Sequence, residues 1–117
     1  MTQLGEVVHG LAARDGVQAA LLLSGEGLPI EHAARGSFDS ETVAALAATL
    51  ARQAALLGTG AGCGELATAV LEFGGGLLVL ARAGAGNWLA VHAAADGDIG
   101  PLLYDLRQHR SALAPLL

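Results

Sequence analysis

At 117 residues the chain has the length of one ordinary domain, enough to bury roughly two thirds of the surface its unfolded form would expose. Its formal charge of −5, with six basic side chains that are all Arg, lacks the basic footprint of a nucleic-acid binder. A single cysteine, Cys63, excludes an intrachain disulfide and leaves any metal site without a sulfur pair, and no apolar run reaches the roughly eighteen residues of a membrane span.

Leu4, Val7, Val8 and Leu11 follow the spacing of one helical stripe, and Asp15-Gly16 supplies a stop, so a short first helix is expected. This segment carries Glu6 and His9 in place of a basic stretch followed by an apolar one, which predicts no secretory signal and a cytoplasmic location. Val17 to Ser24 is nearly all apolar, Gly25-Glu26-Gly27 forms a turn, and Leu28 to Ala33 resumes in extended style, which together predict a hairpin. Pro29 cannot donate to a ladder and belongs at the start or outer edge of the second strand.

Ser37-Phe38-Asp39-Ser40 offers several side-chain caps, and Glu41 in the next turn favours the helix dipole, so a long helix begins there. Its longest apolar run, Val43 to Ala51, is interrupted by Thr49 and closed by Arg52. Val43, Leu46, Ala47, Leu50, Ala54 and Leu57 keep one face, while Ala44, Ala45, Ala48, Ala51 and Ala55 leave the remainder smooth. A surface helix normally carries far more charge on its outer side, so this one is expected to be covered twice, by its own sheet and by a partner.

The Gly58 to Gly64 stretch is expected to end the helix as a flexible connector. Glu65 to Phe73, Leu77 to Arg82 and Trp88 to Ala94 then read as three strands joined by hairpin-length glycine turns. Asp96-Gly97-Asp98 caps a last helix with the stripe Ile99, Leu102, Leu103, Leu106 and Leu113, and Pro101 fits its first turn. The expected architecture is one α+β domain over residues 1–117, in the order α-β-β-α-β-β-β-α, with a five-stranded antiparallel sheet. With only two Phe, one Tyr and one Trp in the chain, Leu, Val and Ala must fill its core.

The glycine-rich stretches do not meet the spacing of a phosphate cradle: a chain without lysine cannot supply a P-loop, and no GxGxxG occurs. His9, His32, His92 and His109 fall on four different elements, none paired at i, i+4 with another, so neither a metal nor any cofactor is expected. Asp105 and His109 do share that spacing as a surface ion pair. Cys63 and Ser24 have no neighbouring base and no elbow motif, which argues against nucleophilic catalysis and an enzymatic role. Arg35, Arg52 and Arg82 are either partner contacts, since an arginine can stabilise charge on a transferred phosphoryl group, or ordinary solvated side chains.

The segment from Gly16 to Ile30, an apolar strand meeting a Glu-Gly-Leu-Pro turn, resembles the first hairpin of roadblock / dynein light chain 7 domains. Glu41 to Leu57 is similar to the family's long alanine-rich helix, and Leu77 to Ala94 with Asp98-Ile99-Gly100-Pro101-Leu102 to its last hairpin and third helix. The resemblance implies a homodimer in which the long helices lie side by side and the third strands pair across a twofold axis. That assigns dimer contacts to Val43, Leu46, Ala47, Leu50, Ala54 and Leu57 on the helix and to Ala67, Ala69 and Leu71 on the strand. Stand-alone bacterial members regulate Ras-like small GTPases, including those of gliding motility, by reorganising the GTPase's own catalytic residues. The resemblance thus implies a GTPase partner, with contacts placed at Thr49, Arg52, Gln53 and Leu56. A ligand-sensing module or a purely structural scaffold of the same fold is the alternative.

Overall fold

The computed structural model describes residues 3–113, with side chains as far as Gln108. Helix α1 (Gln3–Ala12) buries Val8 and Leu11 and leads into β1 (Val17–Ser24) and β2 (Pro29–Ala34). The long helix α2 (Ser40–Gly60) follows, then β3 (Thr68–Phe73), β4 (Gly76–Arg82), β5 (Asn87–Ala93) and α3 (Ile99–Leu113). The element order is the one expected, α-β-β-α-β-β-β-α. All neighbouring strands are antiparallel, in the order β2-β1-β5-β4-β3. Pairing of β1 with β5 seats the first hairpin beside the meander and leaves β2 and β3 as the sheet's edges.

Period-two alternation divides the sheet's side chains between two cores. Val17, Ala20, Leu22, Val79, Leu89 and Val91 pack with Val8 and Leu11 of α1 and Leu102 and Leu106 of α3. On the opposite face Leu21, Leu23, Leu80, Trp88 and Ala90 pack against Ala44, Ala47, Ala48 and Ala51 of α2. Each fully buried leucine contributes about 1.5–3 kcal/mol relative to exposure. The small side chains of α2 let the helix lie close to the sheet, in place of the large aromatics that the sequence lacks.

Two boundaries differ from expectation. Helix α2 does not end at Gly58 but continues to Gly60, where the Ala61 N–H bonds to the Leu57 carbonyl at 2.9 Å and the Gly62 N–H to the Thr59 carbonyl at 3.1 Å. The Thr59 hydroxyl donates to the Ala55 carbonyl at 3.2 Å, satisfying a late acceptor. Gly58 is required by a close approach, since a Cβ there would lie 2.7 Å from the Gly64 carbonyl oxygen. Strand β3 starts at Thr68, not Glu65, because the carbonyl of Leu66 is taken by the Arg82 side chain. Ala67 lies just before the strand, although its carbonyl still accepts from the Arg82 N–H at 2.9 Å.

Helix α2 also corrects the expectation drawn from uninterrupted apolar runs. It has 21 residues, and an 18-residue window within it reaches a mean hydropathy of 1.2, long and apolar enough by length and composition to cross a membrane, because an average tolerates Thr49 and Arg52. In the fold it lies along the sheet with Ala44, Ala47, Ala48 and Ala51 buried against it. The side chains of His109 and Leu113 lie outside the described residues, while Asp105 forms an ion pair with Arg14 that ties α3 to the segment after α1.

Candidate interaction surface

Helix α2 is positioned at its start by Asp39, whose Oδ1 accepts the Thr42 N–H at 3.1 Å. The Thr42 hydroxyl and then its backbone N–H hold the Asp39 carboxyl below its ordinary value of 3.8. At 100° per residue the helix carries two stripes about a quarter turn apart. The alanine stripe faces the sheet, and the Val43, Leu46, Leu50, Ala54, Leu57 stripe faces sideways, toward the β3 edge.

That second stripe is largely uncovered. Leu46 is 65 % exposed and Leu57 73 %, while Val43, Leu50 and Ala54 are half-buried. Ala47 stands at the border of the two stripes and is buried in the chain's own core. Across from the stripe, Ala69, Leu71 and Phe73 share the α2 face of the sheet, since they lie opposite Leu80, Leu78 and Gly76 of β4. Between them runs an open groove of about 370 Å³, lined by Val43, Leu46, Ala47 and Leu50 of α2 and by Leu71, Phe73 and Leu78 of the sheet. Its lining is made of apolar residues throughout. The structure therefore brings Val43, Leu46, Leu50 and Leu71 to one surface and places Ala69 on the same face. It leaves exposed Ala67 in the segment before β3.

Sequence reasoning missed Phe73 and Leu78 as groove residues, although the alternation Ala69, Leu71, Phe73 carried the signal for the first. Phe73 is 58 % exposed and extends the apolar surface of the groove, and it is such a contiguous apolar patch that marks an interaction site. An adjoining hollow, sharing Val43, Phe73 and Leu78, is bordered by Phe38 and His92.

Thr49, Arg52, Gln53 and Leu56 lie on the side of α2 turned away from the sheet, and all four are exposed. Arg52 has structural work there: its Nη1 donates to the Gly25 carbonyl at 3.1 Å and its Nη2 to the Thr49 hydroxyl at 3.3 Å. It thereby ties the β1–β2 turn to the helix. Arg35 and Arg82 behave alike. Arg35 donates from Nε to the Val17 carbonyl at 2.8 Å and from Nη2 to the Ala13 and Arg14 carbonyls at 3.2 Å, closing the link from α1 into the sheet. Arg82 donates from Nε and Nη2 to the Leu66 carbonyl and lies 5.0 Å from the Trp88 ring centre. All three arginines weighed as partner contacts or solvated charges bind backbone carbonyls of their own chain. Among the described residues no group of three or more His, Cys, Asp or Glu side chains could hold a metal ion, and Cys63 is exposed.

The sequence pattern of the Roadblock/LC7 domain matches residues 3–93. The chain belongs to the roadblock/LC7 family. This roadblock domain superimposes on a Roadblock/LC7 domain from Streptomyces avermitilis with a TM-score of 0.89 at 27 % identity, covering 98 % of each chain. It superimposes on Myxococcus xanthus MglB with a TM-score of 0.90 at 18 % identity, over 99 % of this chain and 95 % of that one. The gliding protein MglB from Thermus thermophilus gives 0.84 at 21 % identity, over 94 % and 84 %. Both MglB chains thus share the roadblock fold with it. No curated protein matches the chain.

Proposed function

We propose that this roadblock protein is a cytoplasmic homodimer that binds a Ras-like small GTPase and regulates it, with stimulation of GTP hydrolysis as the specific activity. The reading is carried by one observation: the long helix turns outward both a large apolar stripe and a second exposed stripe of Thr49, Arg52 and Leu56. The apolar stripe, with Leu46 and Leu57, adjoins the open edge of β3 and suits a second copy of the chain. The adjoining side, with Thr49 and Leu56 around the anchored Arg52, stays available to another protein when the first is covered, and Gln53, seven residues from Leu46, stands at the border of the two.

The resemblance to bacterial regulators of gliding-motility GTPases supplies the partner class, and the fold shared with two MglB proteins supports it. On this reading the protein supplies no catalytic group. Its arginines are engaged in holding its own turns, and the GTPase performs the chemistry with residues that the regulator reorganises. An apolar groove with no converging polar groups in its lining suits protein contact better than a polar small ligand.

The test is single-turnover GTP hydrolysis by the Ras-like GTPase encoded nearest this gene, with and without the purified protein, after its mass in solution is measured. A dimer that speeds hydrolysis supports the proposal. A dimer that neither binds the GTPase nor alters hydrolysis removes the GTPase reading and leaves the scaffold and sensing alternatives.

A further inference from the structure

Arg107 differs from the other arginines whose side chains are described. Arg14 pairs with Asp105, and Arg35, Arg52 and Arg82 donate to backbone carbonyls, but Arg107 forms no ion pair or hydrogen bond with a described residue. It borders an open cleft of about 390 Å³ beside the start of β3, the edge strand, where the end of α2 on one face of the sheet and α3 on the other both reach the segment before that strand. Glu65 lines the same cleft and is likewise exposed and unpaired among the described residues. A carboxylate and a guanidinium thus share one hollow without bonding to each other.

The wall between the two charges is small and apolar, built from Ala54 and Gly58 of α2 and from Leu66 and Ala67. Its frame is fixed before anything binds. The Cys63 N–H bonds to the Gly58 carbonyl at 2.8 Å, and the Arg82 guanidinium holds the Leu66 carbonyl from Nε at 3.1 Å and from Nη2 at 2.6 Å. The stretch that composition suggests is a flexible connector is therefore tied on either side of Glu65, and a ligand has little backbone to order.

Two opposite charges held apart in a hollow match a molecule that carries the reverse pair. The guanidinium fork accepts a carboxylate in two parallel hydrogen bonds, and a carboxylate accepts from an ammonium group. We propose that this cleft binds a zwitterionic ligand of the amino-acid or short-peptide class, with its α-carboxylate on Arg107 and its α-ammonium on Glu65. The volume lies within the roughly 300–1,000 Å³ of small-molecule sites. A phosphate ester would bring its negative oxygens against Glu65, and a purely apolar ligand would take both charges from water without replacing their partners. The cleft shares no residue with the groove beside Leu46 or with Thr49, Arg52 and Leu56, so the proposal goes beyond the GTPase reading and does not depend on it. Ala54 and Ala67 adjoin the surface given to a second copy, so binding is measured on the chain in its own state of assembly.

The experiment titrates the isotope-labelled full chain with glycine, alanine and the dipeptide Ala-Ala into the millimolar range, and follows the backbone amide resonances. The same titration is run with Ala-Ala blocked as its N-acetyl or its C-terminal amide form. At least one unblocked probe should give saturable shifts concentrated at residues 63–68 and 106–108, and blocking either end should weaken binding about tenfold. Arg107→Gln should lose the preference for a free carboxylate while keeping that for a free amine, and Glu65→Gln should do the reverse. Both side chains are exposed and without a described partner, so the resonances elsewhere should stay in place and report an intact fold. Equal binding of blocked and unblocked peptides, or wild-type affinity in both variants, would show that the two charges are not the contacts and would overturn the proposal. If no probe shifts residues 63–68, Glu65 and Arg107 are solvated surface charges and the proposal fails, while the dimer and GTPase readings, which rest on α2, are left standing.

Discussion

Arg82 joins the last residue of β4 to the segment before β3, and its guanidinium lies beside Trp88 of β5. Charge-assisted hydrogen bonds to a carbonyl contribute about 1.5–3 kcal/mol and a partly desolvated cation–π contact about 0.5–2 kcal/mol. Arg82→Ala should therefore destabilise the fold by about 1–3 kcal/mol in a urea titration. Hydrogen exchange should accelerate most at 66–69, which the guanidinium fastens. Asp39 gives a pH-dependent counterpart. Its folded-state carboxyl is held below 3.8 by Thr42, so the stability it contributes is fully present above that value and lost as pH falls through the lowered one. The thermal midpoints of the wild type and Asp39→Ala should differ near neutral pH and converge on acidification, while Asp39→Asn, which can still cap, should show a smaller gap at neutral pH.

At the scale of elements, the close seating of the first hairpin on α2 depends on Gly27. Its φ is +92°, and a Cβ there would come within 3.1 Å of the Ala45 Cα. Gly27→Ala combines a left-handed backbone with a clash against helix backbone, and should cost about 1–3 kcal/mol in a denaturant midpoint measurement. Such positions also mark the limit of what the sequence makes legible. The element order and both stripes of α2 follow from period alone, because burial selects side chains at fixed spacing. The end of α2 does not, since a glycine at 58 reads as a breaker until the Gly64 carbonyl beside it is known. The start of β3 is hidden for a related reason: Glu65 to Ala67 continue a strand-like composition, but a side chain from β4 occupies the Leu66 carbonyl. The arginine anchors are likewise invisible, because a charged side chain in a sequence does not reveal which backbone carbonyls it will reach. Of the surface, the stripe from Val43 to Leu57 is legible, whereas Phe73 and Leu78 enter only once the β3–β4 register is fixed.

For the whole molecule the informative substitution is Leu46→Glu. Leu46 is mostly exposed in the single chain and sits within the long helix, where glutamate is nearly as good a helix former as leucine. The fold should therefore persist, with an unchanged far-ultraviolet spectrum. A pairing of long helices would bring two such carboxylates into an apolar contact, and an unpaired buried charge costs several kcal/mol. The dimer dissociation constant should rise by about a hundredfold or more, equivalent to about 2.7 kcal/mol, and read as a halved mass in sedimentation at micromolar concentration. Leu56→Ala, about a third of a turn around the same helix from the apolar stripe and 67 % exposed, should leave that mass unchanged and instead weaken GTPase binding by about tenfold, or ~1.4 kcal/mol. The two variants separate the two surfaces. If Leu46→Glu remained dimeric, the apolar stripe would not be the contact between copies; if Leu56→Ala bound the GTPase as wild type does, the partner would approach from elsewhere. A helix that serves two interfaces through two different stripes predicts that each substitution disturbs one measurement and spares the other.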